Sequence, residues 1–427
     1  MEPPLDAFAF RLTNGNTWLL PPLEALAKTL TDAIELQKKT QQLSLSEVAE
    51  RARRMTELAQ LLRDKMIEPM PKKAAPRFTA GQLAEICGFD RNRLNYLIRK
   101  DEALPKGSKK GNSRDFSLEE VYLWVAAVRP PTPRPPEAKA PVLAVSNLKG
   151  GSTKTTTTMC LAQGLALKGR KVLIIDLDPQ ASLTELCGIY ADIEVDLDET
   201  IGGFFSSYLE DTPMESIKPI IKESYWKNIS IVPACTAMLG SDFNFPLISR
   251  KRPTKQIWTL LREGLEGVRQ DFDYILLDTA PSISYTTVNA IMASDTLIQP
   301  LVPDSLDFIS SIQFWSLFAD LTEMFQEHEG SKGFDMIKVL LTKVNYNSEA
   351  ALIVKEWAKL SYKDWLLDIE IPASAAASSG ALSMNTVYDQ MSGNEDASKR
   401  TIDRLRQPFN ELCSMVDSFY SAKWMTV

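Results

Sequence analysis

Residues Ser146-Asn147-Leu148-Lys149-Gly150-Gly151-Ser152-Thr153-Lys154-Thr155-Thr156 stand between an apolar run, Val142-Leu143-Ala144-Val145, and a helical stretch, Thr157–Lys168. A strand that curls through two glycines into a helix turns its backbone N–H groups inward, beside the positive helix end, where phosphate oxygens bind. Lys154 would then reach the β- and γ-phosphates of a nucleotide, and the Thr155 hydroxyl would ligate Mg²⁺. Gly150, Gly151, Ser152, Thr153 and Thr156 complete the expected cradle. Lys149 is one lysine more than such a loop ordinarily carries. From the start of the loop its side chain does not bend back easily onto its own nucleotide, but it reaches one held by a facing copy. The pattern suggests an ATPase whose site is completed by dimerisation. Thr153 replaces the glycine that usually precedes the loop lysine, so a bare match to G-x-x-x-x-G-K-[ST] fails.

Two acidic strand ends support the loop. Lys171–Asp176 reads as a buried strand running into Asp176-Leu177-Asp178-Pro179-Gln180. Asp273–Asp278 is a second apolar strand ending in an acid, followed by Thr279-Ala280-Pro281-Ser282. Carboxylates at strand ends beside a phosphate loop are where Mg²⁺ and the attacking water must be held, which makes Asp176, Asp178 and Asp278 candidates.

These residues resemble the deviant Walker A ATPases, the group of ParA, MinD and the nitrogenase iron protein, and most closely the ParA partition proteins. Lys149-Gly150-Gly151-x-x-Lys154-Thr155 is similar to the family's signature loop, Asp176-x-Asp178-Pro179-Gln180 to its second motif, and Tyr274–Pro281 to its Walker B strand. The resemblance covers about Pro141 to the last residue. It implies that Lys149 serves the partner's phosphates and that Lys154 is the phosphate ligand in its own subunit. Thr155 would bind magnesium, Asp178 would orient the water, and Asp278 would hold magnesium through water. It places adenine near Ile371-Pro372-Ala373-Ser374, with Pro372 and Ser374 as contacts. Lys399, Arg400, Arg404 and Arg406 match the family's basic C-terminal helix, a candidate surface for non-specific DNA, although their charges fit a solvated face equally well.

The 427 residues allow two or three domains. Hydrophobic content of 44% and charged content of 24% are those of a soluble globular protein. Cys87, Cys160, Cys187, Cys235 and Cys413 are scattered without zinc spacing and read as reduced thiols of a cytosolic protein. His328 is the only histidine, which excludes histidine-based metal chemistry. No segment has the length and apolarity of a membrane span, and Met1-Glu2-Pro3-Pro4 lacks the basic start of a signal peptide.

Arg129–Pro136 is a stiff, proline-rich linker. Beyond it, Ile229–Pro233, Thr296–Val302, Met336–Val344 and Leu366–Ile371 read as further strands separated by helices. This alternation predicts a doubly wound, mainly parallel sheet with its ligands at the carboxyl ends of the strands. The expected organisation is an amphipathic segment over 1–69, a DNA-binding domain over 70–128, a linker over 129–140 and the ATPase domain over 141–427.

Roughly Leu23–Ile67 carries apolar residues at helical spacing: Leu26, Leu30, Ile34, Leu43, Val48, Met55, Leu58 and Leu62, with a break at Ser44 or Ser46. It has no core of its own, so it packs on its own chain or pairs with a second one. The N-terminal helix of large ParA proteins is similar.

Pro76–Lys100 reads as a helix-turn-helix. Thr79 and Gln82 form a capping box for the helix Ala80–Cys87, Gly88 makes the turn, and Asp90 caps Arg91–Arg99. Leu94, Leu97 and Ile98 face inward, leaving Arg91, Asn92, Arg93, Asn95 and Tyr96 for a major groove, where Arg and Asn pair with guanine and adenine edges. Lys106–Arg114, with Lys109, Lys110 and Arg114, is a basic wing, and Phe116–Val128 a closing helix. Between Met70 and Asp115 eleven Lys/Arg stand against five Asp/Glu, a charge of +6 in a chain whose total is −7. A basic surface on an otherwise acidic protein is the expected footprint of duplex binding, though a merely solvated basic face would look the same.

The resemblance implies an ATP- and Mg²⁺-dependent DNA segregation ATPase, cytoplasmic and associated with the nucleoid. It would dimerise on ATP, bind nucleoid DNA non-specifically, be stimulated by a ParB-like centromere-binding protein, and repress its own operon at an operator. A MinD-like membrane cycle needs a lysine-rich amphipathic end, and Asp417–Val427 has one lysine. An iron-protein role needs cluster cysteines, and none lies between Cys235 and Cys413. The runner-up is a nucleotide-gated transcriptional repressor with incidental ATPase activity.

Overall fold

The computed structural model describes residues 43–66, 72–111, 113–329, 332–374, 384–390 and 399–426. The expected helical positions Leu26, Leu30 and Ile34 lie outside them, as does Asn112 of the wing. The chain divides into two compact units between Pro71 and Lys72.

In the first unit, α1 spans Leu45–Met66. Ser44 is its cap: Glu47 N–H donates to Ser44 Oγ at 3.3 Å, while Ser44 N–H donates to Glu47 Oε2 at 2.7 Å. The reciprocal pair satisfies two backbone donors that a helix start would otherwise leave open, and it selects Ser44 over Ser46. Leu45, Val48 and Met55 are exposed.

The second unit opens with β1 (Phe78–Thr79), α2 (Ala80–Cys87), α3 (Arg91–Lys100), β2 (Ser108–Lys110), β3 (Ser113–Phe116) and α4 (Leu118–Val128). The Thr79–Gln82 capping box forms as expected, and Gly88 closes α2 at φ 75. Asp90 accepts from Arg93 N–H at 2.7 Å and starts α3. The three strands make an antiparallel sheet in the order β1-β3-β2. Phe116 differs from expectation: it ends β3, paired with Phe78, and the closing helix begins after the Ser117 cap. Two fully buried phenylalanines side by side in a sheet outweigh the helical pattern that follows them.

The remaining strands are β4 (Val142–Val145), β5 (Val172–Asp176), β6 (Lys222–Glu223), β7 (Ile229–Val232), β8 (Tyr274–Asp278), β9 (Thr296–Leu301), β10 (Met336–Val344) and β11 (Leu366–Pro372). They form one sheet in the order β11-β10-β9-β4-β8-β5-β7-β6, in which only the short edge strand β6 runs antiparallel. β4, β5 and β8 are buried along their whole length, as continuous apolar runs in a parallel sheet require. On the faces lie α5 (Lys154–Leu167), α6 (Ser182–Leu186), α7 (Ser305–Glu329), α8 (Glu349–Tyr362) and α9 (Lys399–Trp424), with shorter helices between 191 and 293. No described helix is long and apolar enough to cross a membrane.

Residues 72–128 and the large sheet share one hydrophobic cluster that includes Phe78, Leu94, Trp124, Leu161 and Leu276. The proline-rich linker lies against the sheet domain. Buried Arg170 donates to the Thr132 carbonyl, to Asp417 and to Ser421, and Arg134 donates to Gln270. Gly169 lets Pro131 approach closely at φ 88, where a Cβ would stand 3.3 Å from the proline ring.

Candidate functional site

β4 delivers Ser146 and Asn147, both buried, to the loop. Asn147 Nδ2 donates to Pro300 O at 2.6 Å and Asn147 Oδ1 accepts from Lys149 N–H at 3.2 Å, fixing where the loop leaves the sheet. Gly151 adopts φ 75 and Thr153 φ 71. The residue that replaces the usual glycine therefore takes the glycine conformation, which strains a β-branched side chain. α5 then starts at Lys154, three residues earlier than the sequence pattern suggests.

Lys154 is 7% exposed. Its ammonium turns back to donate to Lys149 O at 3.1 Å, and Ser152 Oγ donates to the same carbonyl at 3.0 Å. Burial lowers its pKa, against the charges of Asp278 and Asp178. Lys149 is half-buried at the rim, where its charge acts on Asp307 of α7.

Asp176 and Asp278 are register partners at the ends of β5 and β8, and both are fully buried. Burial pushes both carboxyls above the usual carboxylate range. Their surroundings differ. Asp176 Oδ2 accepts from Thr184 N–H at 2.9 Å and Thr184 Oγ1 at 2.7 Å, while its Oδ1 accepts from Asp178 N–H at 3.2 Å. Thr184 Oγ1 in turn accepts from Ala234 N–H at 2.9 Å. Asp176, expected as a metal ligand, also anchors α6 and the Asp178 turn. Asp278 Oδ1 accepts from Thr158 at 3.3 Å, but its buried Oδ2 finds no hydrogen-bond partner among the described residues. This buried carboxylate, with the Thr155 hydroxyl and the Lys154 ammonium drawing its pKa back down, fits a hydrated divalent cation. Asp178 is half-buried, and its Oδ1 accepts from Gln180 N–H at 3.0 Å.

Pro372 and Ser374 line a cavity of about 420 Å³ together with Arg400, Thr401 and Arg404. The expected base contacts and two of the expected DNA contacts therefore meet on one surface. Arg406 does not join them. It is 5% exposed and paired with Asp403, because α9 buries Ile402, Leu405, Phe409 and Leu412 and carries Arg406 to the same side. Lys399 starts α9.

On α3, Arg91, Asn92, Arg93, Asn95 and Tyr96 are all exposed, while Leu94 and Ile98 are buried. Leu97 is half-buried. Lys109 pairs with Arg114 across β2 and β3, next to Lys110, and the half-buried Arg114 guanidinium turns back to Lys106 O.

A family model described as an AAA domain matches residues 140–328. Protein SopA of Escherichia coli K12 is 26% identical over 332 residues, covering 75% of this chain and 83% of SopA. Plasmid partition protein A of Escherichia coli is 25% identical over 303 residues, covering 66% and 74%. This chain belongs to the ParA-type partition ATPases. Among solved structures, a partition protein at 20% identity superposes with a TM-score of 0.57 over 79% of this chain and 97% of that one, which establishes the shared fold. As a ParA-type sequence the chain carries its three motifs at adjoining strand ends.

Sequence reasoning missed Asn147, Thr158 and Thr184. Thr158 was within reach of it, being four residues after Lys154 and hence one turn above it on the same helix face. Thr184 is defined by tertiary contacts, whereas Asn147 combines a local bond to Lys149 N–H with a distant one to Pro300 O.

Proposed function

We propose that this protein is a DNA partition ATPase: it dimerises on ATP, binds DNA non-specifically, and is switched by a ParB-like partner that accelerates hydrolysis. The nucleotide site of this reading is carried by Asp278 Oδ2 beside the buried Lys154, with the half-buried Lys149 at the start of the loop, and the partition role is supported by the similarity to SopA and to plasmid partition protein A. Lys154 contacts the β- and γ-phosphates, displacing its bond to the Lys149 carbonyl. Each Lys149 reaches the terminal phosphate on the facing copy and neutralises charge developing there. Asp178 orients water in line, held by the turn that Asp176 anchors. Thr155 and Asp278 would hold magnesium, which would supply neutralising charge to the phosphate oxygens. The cavity at Pro372 and Ser374 receives the adenine. Arg400 and Arg404, which line the cavity, and Lys399 of the same helix contact DNA phosphates, so that DNA and nucleotide bear on the same helix.

The exposed row on α3 supports a second activity of the same chain. Residues 72–128 act as a winged helix-turn-helix in which Arg91, Asn92, Arg93, Asn95 and Tyr96 read an operator, flanked by Lys109, Lys110 and Arg114. This face is also what favours the rival reading, a nucleotide-gated repressor. ATP turnover measured with non-specific DNA, alone and with the product of a neighbouring gene, separates the two. Synergy between DNA and that product is expected; a flat response would leave repression as the main role.

A further inference from the structure

We propose that Thr342 and Lys343, at the end of β10, are positioning residues of the nucleotide site that hold the phosphate loop in its binding shape from outside. The proposal rests on reading Lys149–Thr156 as the phosphate cradle.

A trans peptide unit points its C=O and the following N–H in opposite directions. Lys343 Nζ donates to Gly151 O at 2.8 Å, and Thr342 Oγ1 donates to Ser152 O at 3.3 Å. Pinning the Gly151 carbonyl toward β10 sends the Ser152 N–H the other way. Pinning the Ser152 carbonyl does the same for the Thr153 N–H. Two consecutive amides are thereby aimed away from β10, as an anion cradle of successive N–H groups requires. The loop does not hold this shape by itself: the two peptides lie between Gly151 at φ 75, a residue free to adopt many conformations, and Thr153 at φ 71, which resists this one.

The donors are built for the task. Thr342 is fully buried, so its hydroxyl has few alternatives. Lys343 adopts φ 51, outside the strand region, at a register irregularity between β10 and β11. The break interrupts the alternation of side chains there and lets two neighbouring residues serve one loop. The next residue carries the link onward. Val344 pairs with Pro372, and Val344 O accepts from Ala373 N–H at 3.0 Å, at the edge of the cavity. One strand end therefore sets the spacing between the phosphate loop and the loop expected to hold the base.

The test is a titration of ADP against the parent chain, Thr342→Val, Lys343→Met and the conservative variants Thr342→Ser and Lys343→Arg, with Lys154→Ala as the control for the site. Thr342→Val is expected to weaken ADP about tenfold, or ~1.4 kcal/mol, and Lys343→Met about threefold. The conservative variants should stay within about twofold of the parent; Thr342→Val should also lower the melting temperature without nucleotide through the lost buried hydrogen bond, while Lys343→Met should leave it unchanged. Lys343 is exposed, so its variants keep the test sound if Thr342→Val folds poorly. Parent-like affinity in Lys343→Met, or Lys343→Arg as weak as Lys343→Met, overturns the clamp while leaving the cradle intact. A parent chain that binds no ADP, or a Lys154→Ala control that binds as tightly as the parent, overturns the cradle reading and the clamp with it.

Discussion

The phosphate loop and the exposed row of α3 bear opposite relations to their surroundings. In the loop, Asn147, Ser152 and Lys154 are buried and each bonds to a backbone carbonyl. On α3, the five candidate side chains point to solvent and only Leu94 and Ile98 are buried. A buried group acts through its neighbours, so substitutions there couple; exposed groups far from one another act more nearly additively. The difference also separates chemistry that needs exclusion of water from recognition that needs access.

The largest effect is expected from Lys154→Ala, which should weaken ATP by about a thousandfold, since a buried cation is removed from beside two carboxylates. Affinity like that of the parent in a calorimetric titration would erase the contrast between the two regions. Lys149→Gln sharpens it: turnover should fall about a hundredfold with ATP affinity within about threefold, and unchanged turnover would remove the reason for a lysine at the rim. Arg91→Ala combined with Arg93→Ala should weaken operator binding about thirtyfold and relax the base preference at the positions those side chains read. Its ATPase rate should match the parent's, and a parallel loss of both activities would show that the regions are not separable. The smallest effect belongs to Gly88→Ala, where φ 75 is strained for any side chain and Cβ would stand 3.3 Å from the Arg129 guanidinium. A loss of about 1 kcal/mol is expected in thermal unfolding; no loss would mean that the turn relaxes freely.

Much of the fold could be read from the sequence because its strands are continuous apolar runs. Val142–Val145 and Met336–Val344 have the bounds expected, and five others fall within a residue or two. The capping residues Thr79 and Asp90 were legible for a local reason, since a side chain three positions from the N–H it satisfies leaves a short-range pattern. Roles set by distant contacts were not. That Asp176 anchors the helix carrying Thr184 cannot be seen until Thr184 is folded against it. Arg406 shares a basic stretch with Arg400 and Arg404, yet its helical phase aligns it with Leu405 and Phe409 rather than with solvent. Phe116 continues a helical pattern on paper and ends a strand in space.

Lys73 stands just ahead of β1 and shares its ammonium among Leu186 O, Met384 O and Asp389 Oδ2, above the ring of Tyr225. The other oxygen of Asp389 accepts from Gln163, halfway along α5. Mechanical load on α5 thus passes through two polar contacts to the root of the small three-stranded sheet. A module rooted in this way travels with the body it is fastened to. On the proposed reading of an operator by a pair of chains, the spacing of the two half-sites would follow the spacing of the two sheet domains.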